Sequence, residues 1–154
     1  MKGKPEVLKV LQEMLKEELG AISQYFLHGE MCQNWGYKKL YAHTKKESIN
    51  EMQHAEELTE RILFLEGTPN LGELPKLNIG KDVKQQFEND LALEKNAVAA
   101  YNQAIAVCRK ADDQASADLL RKILADEEGH VDFLEEQLGL IEEVGLQNYL
   151  AQQV

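Results

Sequence analysis

Six side chains in this sequence of 154 residues have the types and spacing needed to hold two metal ions. Glu18 and Glu94 each interrupt the middle of an otherwise apolar stripe. The other four form two Glu-x-x-His pairs, Glu51 with His54 and Glu127 with His130. Residues three apart on a helix share one face, so each pair aims a carboxylate and an imidazole at the same point. A shift of 76 positions takes Glu18 to Glu94, Glu51 to Glu127 and His54 to His130. The same shift takes Leu15 to Leu91, Tyr25 to Tyr101, Cys32 to Cys108 and Leu58 to Leu134. Two helical hairpins related in this way face each other across an approximate two-fold axis, with all six donors at mid-helix level.

Burying four mutually repelling carboxylates costs several kcal/mol each unless something positive compensates. No Lys or Arg shares these central positions, so divalent cations are the natural counter-charge. Glu from two helices plus Glu-x-x-His from two others is the ligand set of di-iron carboxylate bundles. Carboxylate and imidazole donors suit iron or manganese better than Cu(I) or structural zinc. Bridging carboxylates would hold two such ions about 3.5–4 Å apart, close enough for both to reach one O2 or peroxide.

The elements that must position these groups follow from the breakers. Pro5 suits a first helical turn, and Asn34 and Gly36 close that helix. A second helix is expected from Lys38 to Glu66, ended by Gly67 and Pro69, followed by an irregular segment from Gly67 to Lys81. Asp82, with Gln85 three residues on, reads as the cap of a third helix running to about Lys110. Ala111–Asp113 form a short turn into a fourth helix ending near Val144 and Gly145, and the apolar tail Leu146–Val154 is expected to dock. The first stripe runs Leu8, Leu11, Leu15, Glu18, Ile22, Tyr25, Gly29, Cys32, and the third helix gives Phe87, Leu91, Glu94, Val98, Tyr101, Ile105, Cys108. Short turns make antiparallel hairpins, and the long connection can run the length of a helix. The expected fold is all-α: a ferritin-like four-helix bundle with one long crossover and a short C-terminal fifth helix, as a single domain over residues 1–154.

The formal net charge of −10 speaks against wrapping a nucleic-acid backbone. No stretch approaches a membrane span, and the N-terminal residues lack the apolar core of a signal peptide. Cys32 and Cys108 fit no metal-knuckle spacing and read as small core residues, so a cytoplasmic location with free thiols is expected.

The segments ELGAISQYFLH, ESINEMQHAE, LALE, DEEGH, FLEGTPNL and GLQNYL together resemble the bacterioferritins over essentially the whole chain. The resemblance implies a ferroxidase centre in which Glu18 and His54 hold one iron, Glu94 and His130 the other, and Glu51 and Glu127 bridge. It implies Fe(II) as substrate, O2 or H2O2 as oxidant, and a homo-oligomeric shell of 24 copies built of dimers, with a ferredoxin partner for iron release. It also implies haem b on the dimer axis, held by Met52 from each of two subunits. Met52 lies about 100° round the helix from Glu51, facing away from the six donors. Some bacterioferritins carry a His and an Asp on the inner surface where this chain has Lys46 and Asn50, which cannot make the same accessory iron site. Tyr25 reads either as a packed seam residue or as an electron donor to the centre, and Tyr101 as packing. Two other di-iron readings compete: a rubrerythrin-like peroxidase, whose Cys-x-x-Cys iron module is missing here, and a mini-ferritin-type protective protein, which builds its site between subunits.

Overall fold

A computed structural model describes residues 1–154 and places five helices: α1 (Pro5–Asn34), α2 (Lys38–Phe64), α3 (Val83–Lys110), α4 (Gln114–Val144) and α5 (Leu146–Ala151). α1 packs against α2, α3 against α4, and the two hairpins meet along α1 and α3. This is the expected four-helix bundle with one long crossover and a short fifth helix. No helix is long and apolar enough to cross a membrane.

The local signals act largely as the sequence suggests. Pro5 occupies the first turn of α1, and Gly36, with φ of 89°, takes the left-handed conformation that closes it. The Asp82 carboxylate accepts from Gln85 N at 2.8 Å, while Gln85 Oε1 accepts from Lys81 N. Asp113 caps α4 by accepting from Ser116 N at 3.0 Å, and Arg61 reaches over from α2 to donate to the same carboxylate at 2.9 Å. α2 is the exception: it ends at Phe64, two residues short of Glu66. Glu66 itself adopts φ of 63°, and Gly67 N returns to Ile62 O at 2.9 Å. The glycine serves close approach instead of the turn, because a Cβ on Gly67 would sit 2.7 Å from Leu8 Cδ2.

Two apolar clusters fill the ends of the bundle. The larger gathers Leu11, Leu15, Leu58, Tyr101, Leu120 and Ile123, and the smaller Cys32, Leu40, Phe87, Leu134, Ile141 and Tyr149. α5 closes the second end, with Tyr149 edge-on to Phe87 and its hydroxyl donating to Gln137 Oε1 at 2.7 Å. The acidic layer lies between the two clusters.

The crossover is stitched to α1 by polar groups that the apolar stripe does not reveal. Asn78 N donates to Gln24 Oε1 at 3.1 Å, and Gly80 N donates to His28 Nε2 at 3.0 Å. Behind them Gln24 Nε2 donates to Asp90 Oδ1 at 2.8 Å, and His28 Nδ1 lies 2.9 Å from the same oxygen. Gln24, His28 and Asp90 are all buried, whereas Ile22 on the expected stripe is only half-buried. A strand of irregular backbone brings unpaired N–H groups onto this face, so buried polar side chains answer them.

Candidate metal centre

The bundle brings all six expected residues together. Glu18, Glu51, Glu94 and Glu127 are at most 2% exposed, and the imidazoles come in beside them from α2 and α4. They fall into two sets of four donors, Glu18–Glu51–His54–Glu127 and Glu51–Glu94–Glu127–His130, each with ligand atoms within 4.8 Å of one another. Glu51 and Glu127 belong to both sets, which is the placement a bridging carboxylate needs.

Each imidazole turns Nδ1 towards the carboxylates. His54 Nδ1 lies 2.9 Å from Glu127 Oε1, 3.1 Å from Glu51 Oε2 and 3.5 Å from Glu18 Oε2. His130 Nδ1 lies 3.0 Å from Glu51 Oε1, 3.4 Å from Glu94 Oε1 and 3.9 Å from Glu127 Oε2. The outer nitrogens are held by two carboxylates that sequence reading missed: His54 Nε2 sits 3.0 Å from Asp126 Oδ2, and His130 Nε2 sits 2.6 Å from Glu47 Oε2. A carboxylate on Nε2 keeps the proton there and leaves Nδ1 free to ligate. The shift of 76 gives no hint of either group, since it pairs Glu47 with Ile123 and Asp126 with Asn50.

The two buried tyrosines also reach the cluster. Tyr25 donates to Glu94 Oε1 at 2.5 Å, and Tyr101 donates to Glu18 Oε1. Tyr101 is therefore more than packing, which is a correction to its sequence reading.

The electrostatics show what the site lacks. One buried oxygen of each of the four glutamates accepts no hydrogen bond from a backbone, amide or hydroxyl donor, and those of Glu51 and Glu127 face only His130 Nδ1 at 3.0 Å and His54 Nδ1 at 2.9 Å. Burial, followed by the neighbouring Glu18, pushes the Glu51 pKa well above the carboxylate range. Burial and the hydrogen bond to Glu127 raise Glu94 to about 8. Burial alone would lower both imidazoles, but hydrogen bonds to their carboxylate partners outweigh it and raise them strongly. The raised carboxyls and imidazoles mark a cluster whose buried negative charge favours a positive partner. Unpaired hard oxygens around two imidazole nitrogens fit a pair of divalent ions.

On the α2–α4 side the centre opens into a cavity of about 450 Å³ lined by Glu47, Asn50, His54, Glu57, Asp126 and His130, among others. Lys122 crosses its mouth to bond Glu57 at 2.9 Å. Asn50 is half-buried there, and Lys46 is exposed and outside the lining. Met52 does not join the cluster: it is 52% exposed on the outer side of α2, one turn from Ile49, which is 44% exposed.

A family model described as a ferritin-like domain matches residues 8–144. The bacterioferritin of Mycobacterium bovis is 50% identical over 152 residues, covering 99% of this chain and 96% of that protein. The bacterial ferritin of Synechocystis sp. is 50% identical over 155 residues, covering 100% and 99%. The chain belongs to the bacterioferritin family. The bacterioferritin of Brucella melitensis, 46% identical with coverage of 97% and 92%, extends the likeness to a further organism. The family's function is iron storage, and the buried glutamate–histidine layer is a cluster that could hold metal ions.

Proposed function

We propose that this chain is a ferroxidase: it oxidises Fe(II) within one subunit and passes Fe(III) to a mineral stored inside a shell of 24 copies built of dimers. The convergence of four buried glutamates and two imidazoles into two donor sets that share Glu51 and Glu127 carries this reading, because two divalent cations would compensate the buried carboxylates without calling in protons. Glu18 and His54 hold one ion, Glu94 and His130 the other, and Glu51 and Glu127 span both. When bound, each Fe(II) supplies one electron to O2 or H2O2.

The protein's own contribution is positional and electrostatic. Asp126 and Glu47 orient the two rings so that each Nδ1 lone pair faces inward. Neutralising the glutamates supplies affinity, and the apolar clusters on either side exclude water. Protons held by Glu51, Glu94 and the imidazoles leave as the ions enter. With Lys46 and Asn50 in place of the accessory-site His and Asp, iron reaches the interior through the six-donor centre, and the cavity over Glu47 and Asp126, which Asn50 lines, is its way out to the inner surface.

Met52 fits a thioether ligand to haem b shared with a second copy, since its side chain is exposed and turned away from the six donors. Met52→Leu is expected to remove the haem absorption band from protein produced with ample haem, while leaving Fe(II) oxidation intact. A ferredoxin partner and a cytoplasmic location complete this reading.

The decisive experiment loads the assembled protein anaerobically with Fe(II) and then admits oxygen. Fast oxidation of about two Fe(II) per chain, in a particle of several hundred kDa, is the expected result. His130→Ala is expected to lose the fast phase and keep the particle size. Unaltered fast kinetics in that variant would contradict the assignment.

A further inference from the structure

His43 stands one turn before Glu47 on α2, and its Nε2 lies 3.7 Å from Glu47 Oε1. The other oxygen of that carboxylate faces His130 Nε2 at 2.6 Å, so Glu47 sits between two imidazoles. The contact to His43 is longer than a full hydrogen bond, and it restrains the carboxylate without fixing it. From α4 the Phe133 ring lies against His43, with centroids 3.8 Å apart and planes at 24°. Phe133 follows His130 by three residues, so the stack and the ion pair share one face of α4. A cavity of about 10 Å³, no larger than one water molecule, is lined by His43, Glu47, Asp90, Tyr25 and His130, among others. Burial outweighs the pull of Glu47 and keeps the His43 pKa below its ordinary value. At neutral pH the ring is therefore uncharged, with one N–H to offer a carboxylate.

The other half of the centre has no such arrangement. The shift of 76 takes His43 to Leu119 and Glu57 to Phe133, so neither member of the stack repeats. The Asp126 side chain, which holds His54 Nε2, is 54% exposed against 12% for Glu47, and it makes no second hydrogen bond or ion pair. We propose that His43 is a positioning residue for one half of the centre: through Glu47 it steadies the His130 ring, and so strengthens the ion at Glu94 and His130 without affecting the ion at Glu18 and His54. This rests on the two ion positions of the ferroxidase reading above, and not on the oxidation step. Two donor sets that the repeat makes alike are thereby made unequal, and their ions bind with different affinities. His43 itself touches neither ion, so its influence passes through the direction in which His130 Nδ1 points.

The test is an anaerobic Co(II) titration of the assembled protein, followed by its visible absorption. Single-site backgrounds separate the halves: His54→Ala leaves the position at Glu94 and His130, and His130→Ala leaves the position at Glu18 and His54. In the first background His43→Phe, which keeps the stack and loses the N–H, is expected to weaken Co(II) about three- to tenfold, less than the loss of a group that touches a ligand directly. In the second background the same change is expected to alter affinity by less than about twofold. In the intact centre, His43→Phe is expected to weaken one of the two Co(II) equivalents and leave the other as it was. His43→Gln, which retains an N–H donor, is expected to restore both the affinity and the Co(II) absorption bands. Equal losses in the two backgrounds, or none in either, overturn the proposal. So does a His43→Gln protein that binds as weakly as His43→Phe, which marks the ring as packing alone. Wild-type protein that binds two Co(II) in unequal steps, yet shows no fast Fe(II) oxidation, removes the ferroxidase reading and still supports the role of His43.

Discussion

Glu51→Gln is expected to abolish rapid Fe(II) oxidation and, in the same protein, to make the metal-free chain harder to unfold. Glu51 is fully buried and belongs to both donor sets, with one oxygen near His54 and the other near His130. An amide of the same shape keeps the packing but loses the charge that holds two cations together. Loss of a shared ligand is expected to slow oxidation by at least about 100-fold, since even outer carboxylates matter by about 10–100-fold at such sites. The metal-free state responds with the opposite sign. There the Glu51 pKa is driven up by burial and by Glu18, so folding at neutral pH must either bind a proton or bury a repelled charge. Gln removes that burden, worth about 1–3 kcal/mol, and the unfolding midpoint is expected to rise by about 3–8 °C. Stopped-flow absorbance reads the first effect, and calorimetry in the presence of a chelator reads the second. A lower midpoint for the metal-free variant would mean that the glutamates and histidines stabilise one another without any ion.

The two outcomes explain why so much of this site is legible in the amino-acid sequence. A group that harms the metal-free fold persists only where an ion compensates, so carboxylates in the middle of an apolar stripe carry information that surface carboxylates do not. The repeat sharpens it: Glu18, Glu51 and His54 reappear as Glu94, Glu127 and His130, which fixes the two hairpins and the level at which they meet. What stays hidden has no periodicity to betray it. Glu47 and Asp126 hold equivalent rings from inequivalent places, one a turn before Glu51 and the other next to Glu127. Gln24, His28 and Asp90 look like polar intrusions until the crossover backbone lies on them. Tyr101 is indistinguishable from a packed seam residue because its hydroxyl partner is 83 positions away. The end of α2 shifts for a similar reason, since the use of Gly67 is decided by Leu8 on another helix.

The metal-free protein is expected to lose stability steadily as pH rises from about 5 to about 8.5, and a redox-inert divalent ion such as Zn(II) to reverse that slope. The sign follows from the protons. Glu94 is raised from 4.5 to about 8, and Glu51 is raised too, so between those limits the folded chain holds protons that the unfolded chain has released. Stability then falls as pH rises, because the native state binds more protons than the unfolded one. His54 and His130 are raised above 6.5 and act in the same direction: their contribution is complete below that pH and fades above it. Glu47 opposes them only in acid, since its pKa is lowered and its contribution is lost as pH falls below the ordinary carboxylate value. Each tenfold difference in proton affinity between the folded and unfolded chain is worth about 1.4 kcal/mol, so groups acting together amount to several kcal/mol over the range. Ions take the protons' places, and their affinity grows as the ligands deprotonate. At about a thousand times the dissociation constant, one bound ion adds about 4 kcal/mol to the folded state. Thermal midpoints across the pH series, with chelator and with Zn(II), separate the two slopes. An indicator dye in weak buffer should report protons released as Zn(II) binds at pH 7. Parallel curves with and without the ion, and no proton release, would show that the six side chains do not act as a cation site.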